Sequence, residues 1–210
     1  MIKLIIARHG NTFEAGQTPT RAGARTDLPL TAKGYEQAEK IGKYLADNNL
    51  LPSRVIAAPL IRTTQTAKTA LTSAGLTDIP VQSDAIFTEI DYGLDENKTD
   101  EEVIARIGQK ALDDWNTFAK VPEGWLVNPQ AIIQNWLDFA AALVKESEIS
   151  AEDSVTLVVT SNGIARFAPY ITGDFNRFSA EHNIKIGTGC LCIFAFDGNG
   201  WTCEEWNVKP

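Results

Sequence analysis

The stretch Leu4-Ile5-Ile6-Ala7-Arg8-His9-Gly10 constrains this chain more than any other. Its apolar, partly β-branched run predicts a buried strand, and the run breaks without transition into a guanidinium, an imidazole and a glycine. In an α/β sheet, a strand ending this way delivers its polar groups to the carboxyl edge, where such folds place their sites. Whatever else the chain does, Arg8 and His9 stand at that edge.

The rest of the sequence supplies the sheet. Residues 11–29 form a polar segment punctuated by Gly16, Pro19, Gly23 and Pro29, a length that is uncommon inside a domain unless the loop is functional. Thr31 is suited to cap a helix whose apolar stripe is Ala38, Ile41 and Leu45. A strand over 55–58 stops at Pro59, a helix over 60–74 closes at Gly75, and a third strand spans 80–87. Helical spacing of Val103, Ile107, Ala111 and Trp115 predicts one helix in an insertion over 100–129, and Trp115, Phe118 and Trp125 there are expected in the core rather than at a substrate entrance. A long helix follows over 129–148. The continuous β-branched run at 154–160 reads as a central strand. Ser161-Asn162-Gly163 open a helix reaching Ile171, and segments 189–196 and 201–206 close the sheet as an edge hairpin. The alternation predicts a three-layer α/β/α fold, a single domain over 1–210 with a mostly parallel central sheet and a helical insertion.

Charge excludes one class of partner. At a net charge of −8, the surface as a whole repels a phosphate-rich polymer, so no nucleic-acid partner is expected. A small phosphorylated ligand remains compatible if arginines concentrate in a cleft, and Arg8, Arg21, Arg25 and Arg62 are the candidates. No signal peptide and no membrane-spanning run is evident. Cys190 and Cys192 share a face of one strand and would bridge only with strain; with Cys203 they read as reduced thiols of a cytoplasmic protein. A lone Cys-x-Cys is poor evidence for metal, and neither metal nor cofactor is expected. The exposed edge of the closing hairpin could support a homodimer.

Three segments together resemble one family. Arg8-His9-Gly10, the stretch Asp27-Leu28-Pro29-Leu30-Thr31 with Gly34, Gln37 and Ala38, and the stretch Pro59-Leu60 with Arg62, Gln65, Thr66 and Ala67 stand in the order found in the histidine phosphatase superfamily, the phosphoglycerate mutase-like proteins. The resemblance implies a phosphomonoesterase for a small phosphorylated metabolite, with His9 as a nucleophile that becomes phosphorylated. It implies Arg8 and Arg62 as holders of the phosphate oxygens, which suits the guanidinium fork. Glu89 is implied as the general acid, with Asp91 in reserve; Asn11, Thr12 and Arg25 are further candidates for the phosphate.

One departure matters. The family carries a second histidine in a His-Gly pair after the central strand, and here the pair reads Asn162-Gly163. Asparagine keeps an N–H for a phosphate oxygen but carries no charge, and losing one transition-state donor costs on the order of 10²–10³ in rate. A weakened enzyme is therefore the first expectation. A catalytically impaired homologue that binds a phosphorylated ligand or a protein is the second, and mutase-type transfer the third. His182 is expected on the surface.

Overall fold

The computed structural model describes residues 1–150 and 153–210. Its centre is β1 (Ile2–Arg8), which alternates sharply between two faces. Ile2, Leu4 and Ile6 pack into one apolar core, while Ile5 and Ala7 pack into the other. A strand buried on both faces needs cover on both, and the rest of the chain provides it.

On the Ile5 side lie α1 (Ala32–Asp47) and α2 (Ile61–Ser73), through Ile41 and Leu45 of the first and Ala67, Ala70 and Leu71 of the second. On the side of Leu4 and Ile6, Trp136, Phe139 and Leu143 of α5 (Pro129–Ser150) fill the other layer. The strands β2 (Arg54–Ala57), β3 (Val81–Ser83), β4 (Ser154–Thr160), β5 (Leu191–Phe196) and β6 (Trp201–Val208) complete a six-stranded sheet of order β3-β2-β4-β1-β5-β6. Its first four strands run parallel; β5 and β6 turn antiparallel at the edge. The expected three-layer, mostly parallel α/β sheet is therefore present.

β1 and β4 lie side by side with Arg8 opposite Thr160, so the two segments that leave them, 9–11 and 161–163, emerge together. The carboxyl ends of adjacent parallel strands make the crevice in which such sheets hold ligands.

Local differences from the expected elements have local causes. The helix expected through 103–115 breaks into α3 (Asp100–Ile107) and α4 (Gln109–Phe118) at Gly108, whose φ of 82° is open to glycine at little cost. Strand β3 ends early because the Asp84 carboxylate accepts from the Ile86 N–H and starts a 3₁₀ turn over Ala85–Phe87. The helix expected over 164–171 is a single turn, α6 (Asn162–Ala165), followed by a 3₁₀ turn at Ala168–Thr172 that contains Pro169; proline cannot continue the helical ladder. A further helix, α7 (Phe175–Glu181), is capped by Asp174 and has no counterpart in the apolar spacing. Of the insertion's aromatics, Trp115 and Trp125 are buried as expected, whereas Phe118 is 63% exposed. Among the described residues no helix is long and apolar enough to cross a membrane.

The two helices on the Ile5 face cross closely at Gly42, where a Cβ would meet the Ala70 carbonyl oxygen at 2.1 Å and the Ser73 Cβ at 2.8 Å. The obstacle is backbone, so Gly42→Ala must separate α1 from α2. We expect a loss of about 1–3 kcal/mol in chemical denaturation. An unchanged denaturation midpoint would contradict this crossing.

Candidate active site

The loop that carries His9 is held from three sides. The His9 N–H donates to the Thr160 carbonyl at 3.0 Å, and the Gly10 N–H donates to Thr66 Oγ1 at 3.0 Å. Thr66 Oγ1 in turn donates to the Arg62 carbonyl within α2. The Asn11 N–H donates to Gln37 Oε1, and its carbonyl accepts from the Thr31 N–H. Gly10 and Gly34 meet backbone to backbone: a Cβ on Gly10 would lie 2.3 Å from the Gly34 oxygen, and one on Gly34 would lie 2.3 Å from the Asn11 oxygen. The spaced residues of the three sequence segments are thus partners of one another.

His9 is buried, and its Nδ1 sits 2.7 Å from the Gly10 carbonyl oxygen. A carbonyl only accepts, so Nδ1 carries the proton and Nε2 keeps its lone pair. Burial, followed by the charges of Arg8 and Arg62, holds the imidazole's pKa well below its ordinary 6.5. At neutral pH His9 is uncharged and nucleophilic at Nε2.

Glu89 is shifted in the opposite direction. Burial raises its pKa above the usual carboxyl value, against the pull of Arg62, the N–H groups of Ile90 and Gly163, and Arg8. Its Oε1 accepts from Ile90 N–H at 2.9 Å and its Oε2 from Gly163 N–H at 3.3 Å. Gly163 is required there, since a Cβ would come within 2.2 Å of Glu89 Oε1. The Gly163 N–H of α6 therefore serves the carboxyl group rather than being left for a ligand. The opposite shifts leave one group able to offer a lone pair and the other able to hold a proton.

The cleft above them has a volume of about 590 Å³ and is lined by Arg8, His9, Asn11, Thr12, Arg21, Glu89 and Asn162 among the expected residues. The arginines divide. Arg8 Nη1 donates to the Ile186 carbonyl at 2.6 Å while its Nε, though buried, has no partner among the described residues. Arg62 lies fully buried beneath the cleft wall, donating to the carbonyls of Thr26, Ala22 and Gly23, with its Nε also unpartnered among the described residues. It braces the 11–29 loop and sets the local potential. Arg25 does not reach the cleft: Asp91 and the Gly93 carbonyl hold its guanidinium in the exposed turn. That pairing also occupies Asp91, the reserve acid.

Asn11 lines the cleft, but its side-chain amide donates to the Phe13 carbonyl and to Thr31 Oγ1, so its contribution is to loop shape. Asn162 Oδ1 accepts from the Ile186 N–H at 2.9 Å. With the oxygen fixed, the planar amide directs Nδ2 away from that segment. His182 caps the end of α7 and lies tilted against Phe178 with ring centres 4.6 Å apart, outside the cleft lining.

Tyr92, Arg166, Lys185 and Thr188 also line the cleft, and none of them was expected there from the sequence. Arg166 is 1% exposed, stacks 4.0 Å over Trp115, and donates to the carbonyls of Trp115 and Asn162. Burial lowers its pKa to about 10, which leaves it cationic at neutral pH. Glu96 also went unnoticed, although its carboxylate collects the Gly23 and Arg25 N–H groups, the Thr26 hydroxyl and the Tyr92 N–H. None of these residues sits in a spaced pattern that a single sequence reveals.

Similarity to known proteins extends over nearly the whole chain. The profile of the histidine phosphatase superfamily (branch 1) matches residues 4–209. A 2,3-bisphosphoglycerate-dependent phosphoglycerate mutase of Bifidobacterium longum is 30% identical over 198 residues, covering 94% of this chain and 73% of the mutase. Among solved structures, a mycobacterial glucosyl-3-phosphoglycerate phosphatase superposes with a TM-score of 0.79 at 17% identity, over 98% of both chains. The α-ribazole phosphatase of Shigella flexneri does so with a TM-score of 0.71 at 21% identity, over 99% of this chain and 96% of its own. With the family profile spanning nearly the whole sequence and the fold shared end to end, this chain belongs to the histidine phosphatase superfamily, branch 1, a family of phosphoglycerate mutase-like enzymes.

Proposed function

We propose that the protein hydrolyses a small phosphate monoester through a phosphohistidine on His9. The observation that carries this reading is the neutral His9 with its Nε2 lone pair uncommitted. It shares the site with Arg8 and Arg62, each holding a buried unpartnered Nε, and with Glu89, a carboxyl group that burial keeps inclined to hold a proton. Buried cationic N–H groups without acceptors are costly, and they cluster where an anion is to be held.

In the first step His9 Nε2 attacks phosphorus in line with the ester oxygen. The N–P bond forms, the P–O ester bond breaks, and Glu89 delivers its proton to the departing alkoxide. Water then attacks the phosphohistidine, Glu89 takes back the proton, and inorganic phosphate leaves with His9 restored. Arg8 offers the charge-assisted hydrogen bond, Arg62 supports the charge from below, and Asn162 Nδ2 and Thr12 add neutral donors. Arg25 has no part in this mechanism.

The same similarity to mutases favours a second reading, transfer of the phosphoryl group between two positions of one phosphoglycerate. Interconversion of 2- and 3-phosphoglycerate with no release of inorganic phosphate would replace hydrolysis by that reading.

The pH dependence follows from the two shifts. His9 must be unprotonated, and its pKa lies well below 6.5, so kcat/KM falls only at distinctly acidic pH. Glu89 must be protonated for the first step, so the rate falls as pH rises through its raised pKa. A bell bounded by these two groups is expected with an alkyl phosphate, whose alkoxide leaving group needs the acid. Glu89→Gln should remove the alkaline limb that belongs to the enzyme, leaving only the substrate phosphate's own ionisation near pH ~6. An alkaline limb unchanged in Glu89→Gln would reject Glu89 as the acid.

A further inference from the structure

Besides Arg8 the cleft carries a further set of cations. Arg21, Arg166 and Lys185 line it, together with Trp115, Tyr92, Asp100 and Glu101. Arg21 lies against two rings, 5.5 Å from the centre of Tyr92 and 5.2 Å from that of Trp125. One of its terminal nitrogens meets Asp100 at 2.8 Å, while its buried Nε has no partner. Arg166 is fixed by its own stack and by two carbonyls. The Lys185 ammonium makes no ion pair or hydrogen bond among the described residues, and the cations Arg8, Arg166 and Arg21 act on it alongside the Asp100 carboxylate.

Lys185 is also carried on a fixed segment. The Asn162 side chain accepts from the Ile186 N–H, and Arg8 donates to the Ile186 carbonyl. The Gly189 N–H donates to the Arg8 and His9 carbonyls, and Gln37 holds the Thr188 carbonyl. The residue that stands where the family carries its second histidine thus helps to tie down the segment that presents a lysine to the cleft.

We propose that Arg21, Arg166 and Lys185 form a second anion-binding subsite, which selects phosphate monoesters bearing a second anionic group, a carboxylate or another phosphate. The inference rests on reading the cleft as a phosphomonoester site. Asp100 offsets one of these charges through Arg21, the remaining cations repel one another until a further anion joins them, and stacked or carbonyl-anchored guanidinium groups cannot swing away. The anion held there orients the ester and contributes through KM more than through kcat.

Binding of non-hydrolysable phosphonates to the wild-type protein tests this without requiring turnover. An ω-carboxyalkylphosphonate should bind about 10-fold or more tightly than the alkylphosphonate of equal length, at one optimum chain length in a series of roughly two to five methylenes. An α,ω-bisphosphonate series decides between carboxylate and phosphate as the second group. In Lys185→Met and Arg21→Met the preference should fall toward unity, whereas Lys43→Met, which removes an exposed cation of α1, should retain it. Equal binding of charged and uncharged phosphonates at every length, or a preference untouched by both Lys185→Met and Arg21→Met, would overturn the subsite. Either result is independent of hydrolysis itself, which stands or falls on the His9 variant.

Discussion

In His9→Ala, hydrolysis of an aryl phosphate should fall by at least roughly 10⁴-fold, since the covalent route disappears and only positioning by the remaining groups survives. The imidazole is neutral because burial and the two arginines disfavour its cation. Alanine therefore removes a cost that the fold bears only at acidic pH, and the variant should gain stability relative to the wild type as pH drops. The sign follows from linkage: a histidine with a lowered folded pKa binds its proton more readily when unfolded, so it destabilises the native state below its ordinary pKa of about 6.5. Steady-state rates and thermal melts at pH ~5 and pH ~8, on either side of that value, check both halves. Turnover retained within about 10-fold would remove His9 from the mechanism.

The second large effect concerns Arg62. In Arg62→Ala, the carbonyls of Thr26, Ala22 and Gly23 lose their donor in a buried place. Each buried acceptor left unsatisfied costs about 1–3 kcal/mol, so a loss of several kcal/mol in stability accompanies a fall in rate on the order of 10³. Arg62→Lys separates the contributions. It keeps the charge beside His9 and Glu89 but cannot reach three carbonyls in a fork, so it should recover more of the rate than of the stability. Equal recovery of both would show that Arg62 acts only through the loop.

Much of the site could be read from the sequence because its residues act in pairs at fixed spacing. Gly10 needs Gly34, Asn11 needs Thr31 and Gln37, and Leu30 N–H needs Gln65. Such mutual requirements leave a pattern. The sheet was equally legible, since strands buried on both faces are written as continuous apolar runs. What escaped was set by chain geometry rather than residue type. Gly108 counts as one residue of an apolar-spaced helix in the sequence, although its left-handed conformation divides the insertion. Arg25 resembles a phosphate ligand in composition, but Asp91 and the Gly93 carbonyl are nearer partners once the loop folds. Arg166 and Lys185 reach the cleft from the end of a one-turn helix and from a turn segment, whose paths depend on Pro169 and on the Asn162–Ile186 hydrogen bond. Nothing in their immediate sequence announces either.

The central claim is a phosphoryl group on His9. The most direct measurement is a rapid quench during turnover of an aryl phosphate, into alkali to preserve a phosphoramidate bond, followed by peptide mass spectrometry. The account predicts one phosphoryl group on the peptide that carries His9, absent in His9→Ala and accumulating in Glu89→Gln if loss of the general base slows the water step. Wild-type protein that releases phosphate steadily while no peptide ever carries the group would contradict it.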